Sequence, residues 1–492
     1  MSLRLLFLMA LTPVGVILTL ITPFVGAVIL ILIYFIRPEV WGMPSALSPS
    51  LVITGAMLLT VILGKTRFRL PTGSLWPMLL LGCMVNSSFS ALISPAASFQ
   101  QTSDFAKLAV MWLLIVLVAD SPRRLYLLLW STVGGVLWLI KSAIYFYVTT
   151  GAPRVERVGG QGSGANYMSA MLLLTLPHLL FEAFESRSKF KWLARALVPL
   201  WLWVFMLTGS RGGLVGFVVL VLLYLLQSSR KGTATILTVV LAGFLLFAGS
   251  EVYWSRMRSI TSYEEDESAR SRLEVWRGAL DLARKYPLTG IGLQNFVLVS
   301  PMYTTSRAKT TGEGLEAHNT YLQVLAEGGF PTLIVFFCML LGAFRKLNRV
   351  GRDPPSSGDQ AEPSLWQIRS AVLTGLGAFL GQSFFDSNFH KDPLWWFLAF
   401  AEALAWVAAR QPSAEARGTA PAALAVQRAG TSTRSGRSPA RPSGVPCGSP
   451  GSEAALPGPS ASSPEKQCRR IQPFGTCPGA GPETGRGSRI GG

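Results

Sequence analysis

The stretch that decides the fold is EAHNTYLQVLAEGGFPTLIVFF, Glu316 to Phe337. Its second half opens an apolar run that carries no charge from Gly328 to Phe344, so Tyr321–Phe344 is a candidate membrane span. Its first half sets His318, one of only three histidines, beside Asn319 at the entrance to that run.

Outward from this stretch, apolar runs of similar length recur from the N-terminus to about Arg410. The chain has 492 residues, 50% hydrophobic and 14% charged, with mean hydropathy +0.40. Soluble chains carry about a quarter charged residues. The short alternating segments of a closed β-barrel are not visible. The sequence therefore predicts an all-α polytopic membrane protein. Its candidate spans are Leu3–Ile36 (one bent span or two short ones, with Pro13 and Pro23), Leu51–Leu63, Leu75–Ile93, Phe105–Ala119, Leu125–Val148 and Tyr167–Phe184. They continue with Trp192–Leu207, Leu214–Leu226, Thr233–Ala248, Tyr321–Phe344, Ile368–Phe385 and Leu394–Ala408. The count is about 12 transmembrane helices, or 13 if the first segment is two.

Net charge is +18, yet the basic residues are scattered through short loops, as orientation signals are. No basic recognition helix or RNA-binding signature appears, so no nucleic-acid partner is expected. One set of loops holds Lys65, Arg67 and Arg69, Arg123 and Arg124, Arg187, Lys189 and Lys191, Arg230 and Lys231, and Arg345, Lys346, Arg349 and Arg352. The alternate short loops hold only Arg37, Arg154, Arg157, Arg211 and Lys391. The first set reads as cytoplasmic, which puts the long segment 249–320 outside and the C-terminus inside. The N-terminal apolar run lacks a clean small-residue cleavage site and reads as a retained span. From Gln411 the chain turns rich in Pro, Gly, Ser, Ala and Arg, so 411–492 reads as a disordered cytoplasmic tail after a membrane domain of 1–410. Of five cysteines, two lie in spans and three in the tail, which leaves neither a disulfide framework nor a metal spacing.

The large extracytoplasmic loop is the informative part, since most connections are short. Within it, Val275, Trp276, Ala279, Leu280 and Ala283 recur at helical spacing, so Leu273–Lys285 should form an amphipathic helix lying on the membrane face. Tyr286-Pro287 ends it, and Gly290 and Gly292 mark a turn. At the far end, Thr320-Tyr321-Leu322-Gln323 fits a capping box. His318 and Asn319 then precede a helix start, where the dipole favours an anion such as phosphate; equally, they could only cap a helix at the lipid interface.

Arg211, in LTGSRGGLVGF, interrupts two apolar spans on the same outer side. A charge at that depth costs roughly 3 kcal/mol on insertion scales and usually faces a polar cavity, the alternative being a turn arginine that snorkels to headgroups. Arg154 and Arg157 also break the charge bias outside; they either bind phosphate or meet headgroups. Arg272, in SARSRLEVW, has the same ambiguity with a solvated helix start. Glu264–Glu267 reads as a solvated acidic run, His178 as packed beside Pro177, and His390 as a second loop candidate. Walker loops, a nucleophile elbow and metal clusters are not found, and GIGLQNF lacks the strand-before-helix context of a dinucleotide fold.

Taken in order, SRGG at Ser210–Gly213, SRLEVW followed by YPLTGIGLQNF, and AHNTYLQVLAEGGFP resemble the O-antigen ligase and polymerase superfamily of bacterial inner-membrane enzymes. PFVGAVILILIYFIRPEVWG and GGQGSGANYMSAMLLLTLP resemble its exosortase-associated O-glycosylation ligase branch. The resemblance covers roughly Leu3 to Ala408. It implies a membrane-embedded, metal-independent glycosyltransferase with no cofactor. Its donor would be a glycan on undecaprenyl diphosphate, and its acceptor a hydroxyl on lipid A core, another glycan or a protein. The family's functional positions map to Arg211, Arg272 and His318, with Arg154, Arg157, Asn319 and Tyr321 as substrate-binding candidates. Guanidinium groups suit a departing diphosphate and an imidazole suits an acceptor proton, with inversion at the anomeric carbon. The rivals are a polymerase of the same superfamily, a lipid-linked sugar transporter and a non-catalytic assembly partner. A transporter would be expected to show internal repeats, which are not visible.

Overall fold

A computed structural model describes residues 3–37, 48–66, 68–152, 164–248, 267–303, 314–351 and 363–410. Arg154, Arg157, the acids at 264–266 and the tail 411–492 lie outside the described residues. The described secondary structure is entirely helical. In order it runs α1 Leu3–Ile21, α2 Pro23–Ile36, α3 Pro49–Ile62, a 3-10 turn Thr72–Ser74, α4 Leu75–Phe89, α5 Pro95–Val118, α6 Pro122–Thr150 and α7 Ala165–Phe184. It continues α8 Lys191–Thr208, α9 Arg211–Gln227, α10 Lys231–Ala248, α11 Glu267–Lys285, α12 Asn295–Val299, α13 Thr320–Arg349, α14 Leu365–Gln382 and α15 Asp392–Arg410.

Five of these, α5, α6, α7, α8 and α13, are long and apolar enough to cross a membrane; Leu11–Ile21, α2, α3, α9 and Lys231–Gly243 are shorter apolar helices. Leu3–Ile36 resolves into two helices broken at Thr22, because Pro23 has no amide to continue the ladder and sits instead at the first turn of α2. Helix α5 starts at Pro95, well before the expected Phe105, since Ser94 caps it by accepting from the Ala97 amide at 3.2 Å with proline following. At the centre, α7 is buried on nearly every face, packed against α8, α9 and α14. His178 is buried there edge-on to the Trp130 and Tyr126 rings, as its place beside Pro177 predicts.

The described parts of the segment between α10 and α13, residues 267–303 and 314–319, are folded. Val275, Ala279 and Leu282 of α11 join Ile291, Phe296, Val299, Ala317 and Ala326 in a small core separate from that of the bundle. The amphipathic helix is present but its inner face is corrected: Leu280 is 39% exposed and Leu282 takes the inward position, one helical turn on from Ala279.

This small core docks on a break in α13. Gly329 leaves helical geometry at φ 74 ahead of Pro331. The break frees carbonyls that a continuous helix would use internally, and the turn after α11 satisfies them. Ile291 donates to the Ala326 oxygen and Gly292 to that of Glu327, each at 3.0 Å, while the Phe330 amide reaches Pro287 at 2.8 Å. The approach is backbone to backbone: a Cβ on Gly290, at φ +66, would lie 2.3 Å from the Glu327 carbonyl. Those glycines of YPLTGIG therefore serve contact with the broken helix. Gly290→Ala is expected to lower thermal stability by at least roughly 1–3 kcal/mol for the backbone strain alone. Thermal unfolding in detergent measures it, and an unchanged midpoint would refute the docking account.

Candidate functional site

Helix α13 begins one residue earlier than a Thr320 capping box requires. Asn319 is the cap, its Oδ1 accepting from the amides of Tyr321 and Leu322 at 3.0 Å each. This corrects the expected box and frees Thr320 for another task. The Thr320 hydroxyl donates to the Asp386 carbonyl and accepts from the Asn388 amide, both at 2.8 Å, and its own amide donates to Ser383 at 2.9 Å. Thr320 thereby ties the start of α13 to the turn joining α14 to α15. Tyr321 supports the same joint, its hydroxyl donating to the Leu380 carbonyl at 2.9 Å. That carbonyl bond gives Tyr321 a structural task in place of a free phenol.

Two other elements close on this turn. Trp276 of α11 rests against Phe385 with ring centroids 6.4 Å apart, and its indole donates to the Ala317 carbonyl at 2.9 Å. At the start of α9, a Cβ on Gly212 would come within 2.6 Å of the Phe385 Cβ, so only glycine admits this approach. Arg211 is the first residue of α9, capped by Ser210, whose hydroxyl accepts from Gly213 at 3.0 Å and donates to Asn166 Oδ1 at 2.8 Å. Arg211 thus borders the turn from one side, with Trp276, one turn along α11 from Arg272, and Ala317-His318 on another. Their connector is residues 383–388.

The electrostatics agree with this arrangement. Burial pushes the His318 imidazole down to about 4, and the Arg272 charge acts in the same direction. His318 Nδ1 is enclosed without a hydrogen-bond partner, and the residue holds a left-handed backbone at φ 46. A non-glycine residue kept there costs about 1–3 kcal/mol and such strain gathers at functional sites. Burial and the nearby Glu316 carboxylate raise Asp386 to about 6, with Lys391 and Arg272 opposing.

Asp386 and Asn166 escaped the reading of the sequence. Asp386 had a signal, an acid in the short loop FFDSNFHKDP, but the histidine in that loop drew attention instead. His390 is pushed down to about 4 by burial and by Lys391, and meets the Phe389 ring edge-on. Asn166 gave none: its carbonyl accepts from Gln382 Nε2 at 2.6 Å, a contact that only the packed bundle creates.

The described chain is thus all helical, with five helices long and apolar enough to cross a membrane, and the starts of α9 and α13 and the helix α11 meet at one turn, 383–388. Residues 196–337 match the family described as O-Antigen ligase, a span that contains Arg211, Arg272 and His318. The chain is also 26% identical over 172 residues to the exopolysaccharide production protein ExoQ of Rhizobium meliloti (strain 1021), covering 32% of each chain. The matched region is about a third of that relative's length. The resemblance to the O-antigen ligase-like superfamily read from the ordered motifs is supported by both findings.

Proposed function

We propose that the chain transfers a glycan from an undecaprenyl-diphosphate-linked donor to an acceptor hydroxyl, in the assembly of a cell-envelope polysaccharide. What supports this reading is that two elements meet one turn beside His318: Trp276, one helical turn from Arg272, donates to the Ala317 carbonyl and packs on Phe385, and Gly212, next to Arg211, packs on Phe385 as well. The chain sits in the bacterial inner membrane with segment 249–320 periplasmic and the C-terminus cytoplasmic. The break at Thr22 favours about 13 spans over 12.

In this reading Arg211 and Arg272 hold the diphosphate. Guanidinium stays charged and grips phosphate oxygens in a bidentate fork, so it stabilises charge where it grows as the glycosidic bond to the diphosphate breaks. His318, neutral at physiological pH, accepts the proton of the acceptor hydroxyl as its oxygen attacks the anomeric carbon from the opposite face, inverting it. Asn319 and Tyr321 hold the loop that carries His318, while Arg154 and Arg157 are proposed as further phosphate contacts. The acceptor is lipid A core, another glycan or a protein, and extension of the same polymer remains the second reading within this chemistry. The ExoQ likeness, through that protein's printed role in exopolysaccharide production, favours a polysaccharide product.

Purified protein given labelled lipid-linked glycan is expected to form a new glycosidic bond; movement of donor across a bilayer without bond formation would make it a transporter. Transfer is expected to survive chelation of divalent ions, and strict dependence on one would contradict the arginine-based mechanism. The pH profile has a defined sign. Transfer needs neutral His318, so it falls as pH drops through that group's pKa. The acid limb of kcat/KM should therefore lie near 4 in the free enzyme. Bound diphosphate offsets the Arg272 charge and stabilises imidazolium, so the limb of kcat should move to higher pH.

A further inference from the structure

Tyr321 and Phe337 both belong to α13 and lie sixteen residues apart, which in an unbroken helix separates them by about 24 Å. Their rings instead stack, with centroids 5.5 Å apart and planes 6° from parallel. The break at Gly329 therefore folds the first half of the helix back along the second. It sets Tyr321, three residues from His318, about two turns down the apolar half of α13 rather than at its mouth.

Phe384 extends the stack at its other end. Its ring centroid lies 4.5 Å from that of Tyr321, and it belongs to the 383–388 turn that receives the Thr320 amide. Phe384, Tyr321 and Phe337 thus form a continuous aromatic track from the candidate site to the apolar half of α13. The Tyr321 hydroxyl is turned to the Leu380 carbonyl at 2.9 Å, which leaves its ring as the contact surface. On α13 the track merges with one helix face, where Phe330, Ile334, Phe337 and Leu341 recur at helical spacing and are all exposed, as is Phe384.

Many lipid-facing helices carry an apolar stripe that needs no special occupant. This one differs in where it begins. It starts at the turn beside His318, so a ligand whose polar head lies at that turn has its apolar tail placed along the stripe. Flat aromatic faces pack well on the planar, methyl-bearing double bonds of an isoprenoid. Inside a bilayer such packing, more than removal from water, separates one apolar chain from another.

We propose that this track binds the isoprenoid tail of the donor lipid, its first units against Phe384 and Tyr321 and later units against Phe337 and Leu341. The proposal rests on the glycan-transfer reading for the head of the ligand and adds the place of its tail.

The test uses the full chain in phosphatidylglycerol nanodiscs, with the photo-reactive p-benzoylphenylalanine in place of Leu341 or, on an exposed face of α3, of Leu58. Added undecaprenyl diphosphate is expected to crosslink at 341 and not at 58. Phospholipid adducts alone at 341, or equal prenyl crosslinking at both positions, overturn the proposal while leaving the diphosphate site standing. A second arm compares undecaprenyl diphosphate with dimethylallyl diphosphate, which has the same head on a single isoprene unit, through the shift of thermal unfolding. Phe337→Leu should weaken binding of the long lipid about two- to tenfold, the scale of a lost aromatic contact, and leave the short one unchanged. Equal losses for both would mean that Phe337 acts only by supporting Tyr321, and the proposal falls. Failure of both diphosphates to bind the unsubstituted chain removes the glycan-transfer reading itself, and the tail site with it.

Discussion

His318→Ala is expected to reduce glycan transfer by about 10²–10⁴-fold with the protein still inserted and folded, the range that removal of a positioned base produces. The imidazole is able to take a proton at neutral pH, because burial and the Arg272 charge both keep it neutral there. The left-handed backbone at residue 318 complicates an alanine, which tolerates φ 46 no better than histidine does. His318→Asn separates the two effects. Asparagine enters this backbone region more readily than most residues yet offers no basic nitrogen. Transfer should therefore be lost in both variants while stability falls less in the asparagine one. Near-normal transfer by His318→Asn would remove the base from the mechanism.

Arg272→Ala is expected to cost about 10²–10³-fold in kcat, the scale seen when one preorganised group at a developing charge is lost. Its consequence is double: the diphosphate loses a bidentate partner and the charge that depresses His318 disappears, so the acid limb of any residual activity should rise. Arg272→Lys should recover only part of the rate, since an ammonium cannot form the planar fork. Arg211→Ala should fall in the same range. If both grip one diphosphate, the double variant should cost far less than the product of the single effects. Fully multiplicative losses would mean that the two arginines act at separate places.

The helices were legible in the sequence because their signal is local, in apolar runs, while the Ser94 cap and first-turn Pro95 that start α5 early went unread. The capping of α13 was misassigned by one residue because Asn319 and Thr320 are both good caps, and the choice is made by a distant turn that engages the Thr320 hydroxyl. Leu280 and Leu282 each suit a helix face, and only the position of Ile291 and Phe296 decides which one is buried. Arg211 and His318 stood out as a charge and a rare histidine at the edges of apolar runs, whereas Arg272 was singled out only through the SRLEVW motif of the resemblance. Asp386 did not, because its importance comes from Glu316, Arg272 and Lys391, which reach it through the fold. The glycines of GIG carry a positive φ that spacing alone suggested, but the broken helix they accommodate lies dozens of residues away in the chain.

The central claim is that one lipid-linked diphosphate is held between Arg211 and Arg272 with His318 facing the transferred sugar. The structure of the full chain with undecaprenyl diphosphate bound tests it most directly. The expected result is phosphate oxygens within hydrogen-bond distance of both guanidinium groups, beside the 383–388 turn, and His318 Nε2 facing the space where an acceptor hydroxyl would enter. A diphosphate seated elsewhere, or one that meets Arg272 while Arg211 points away from it, would contradict the account.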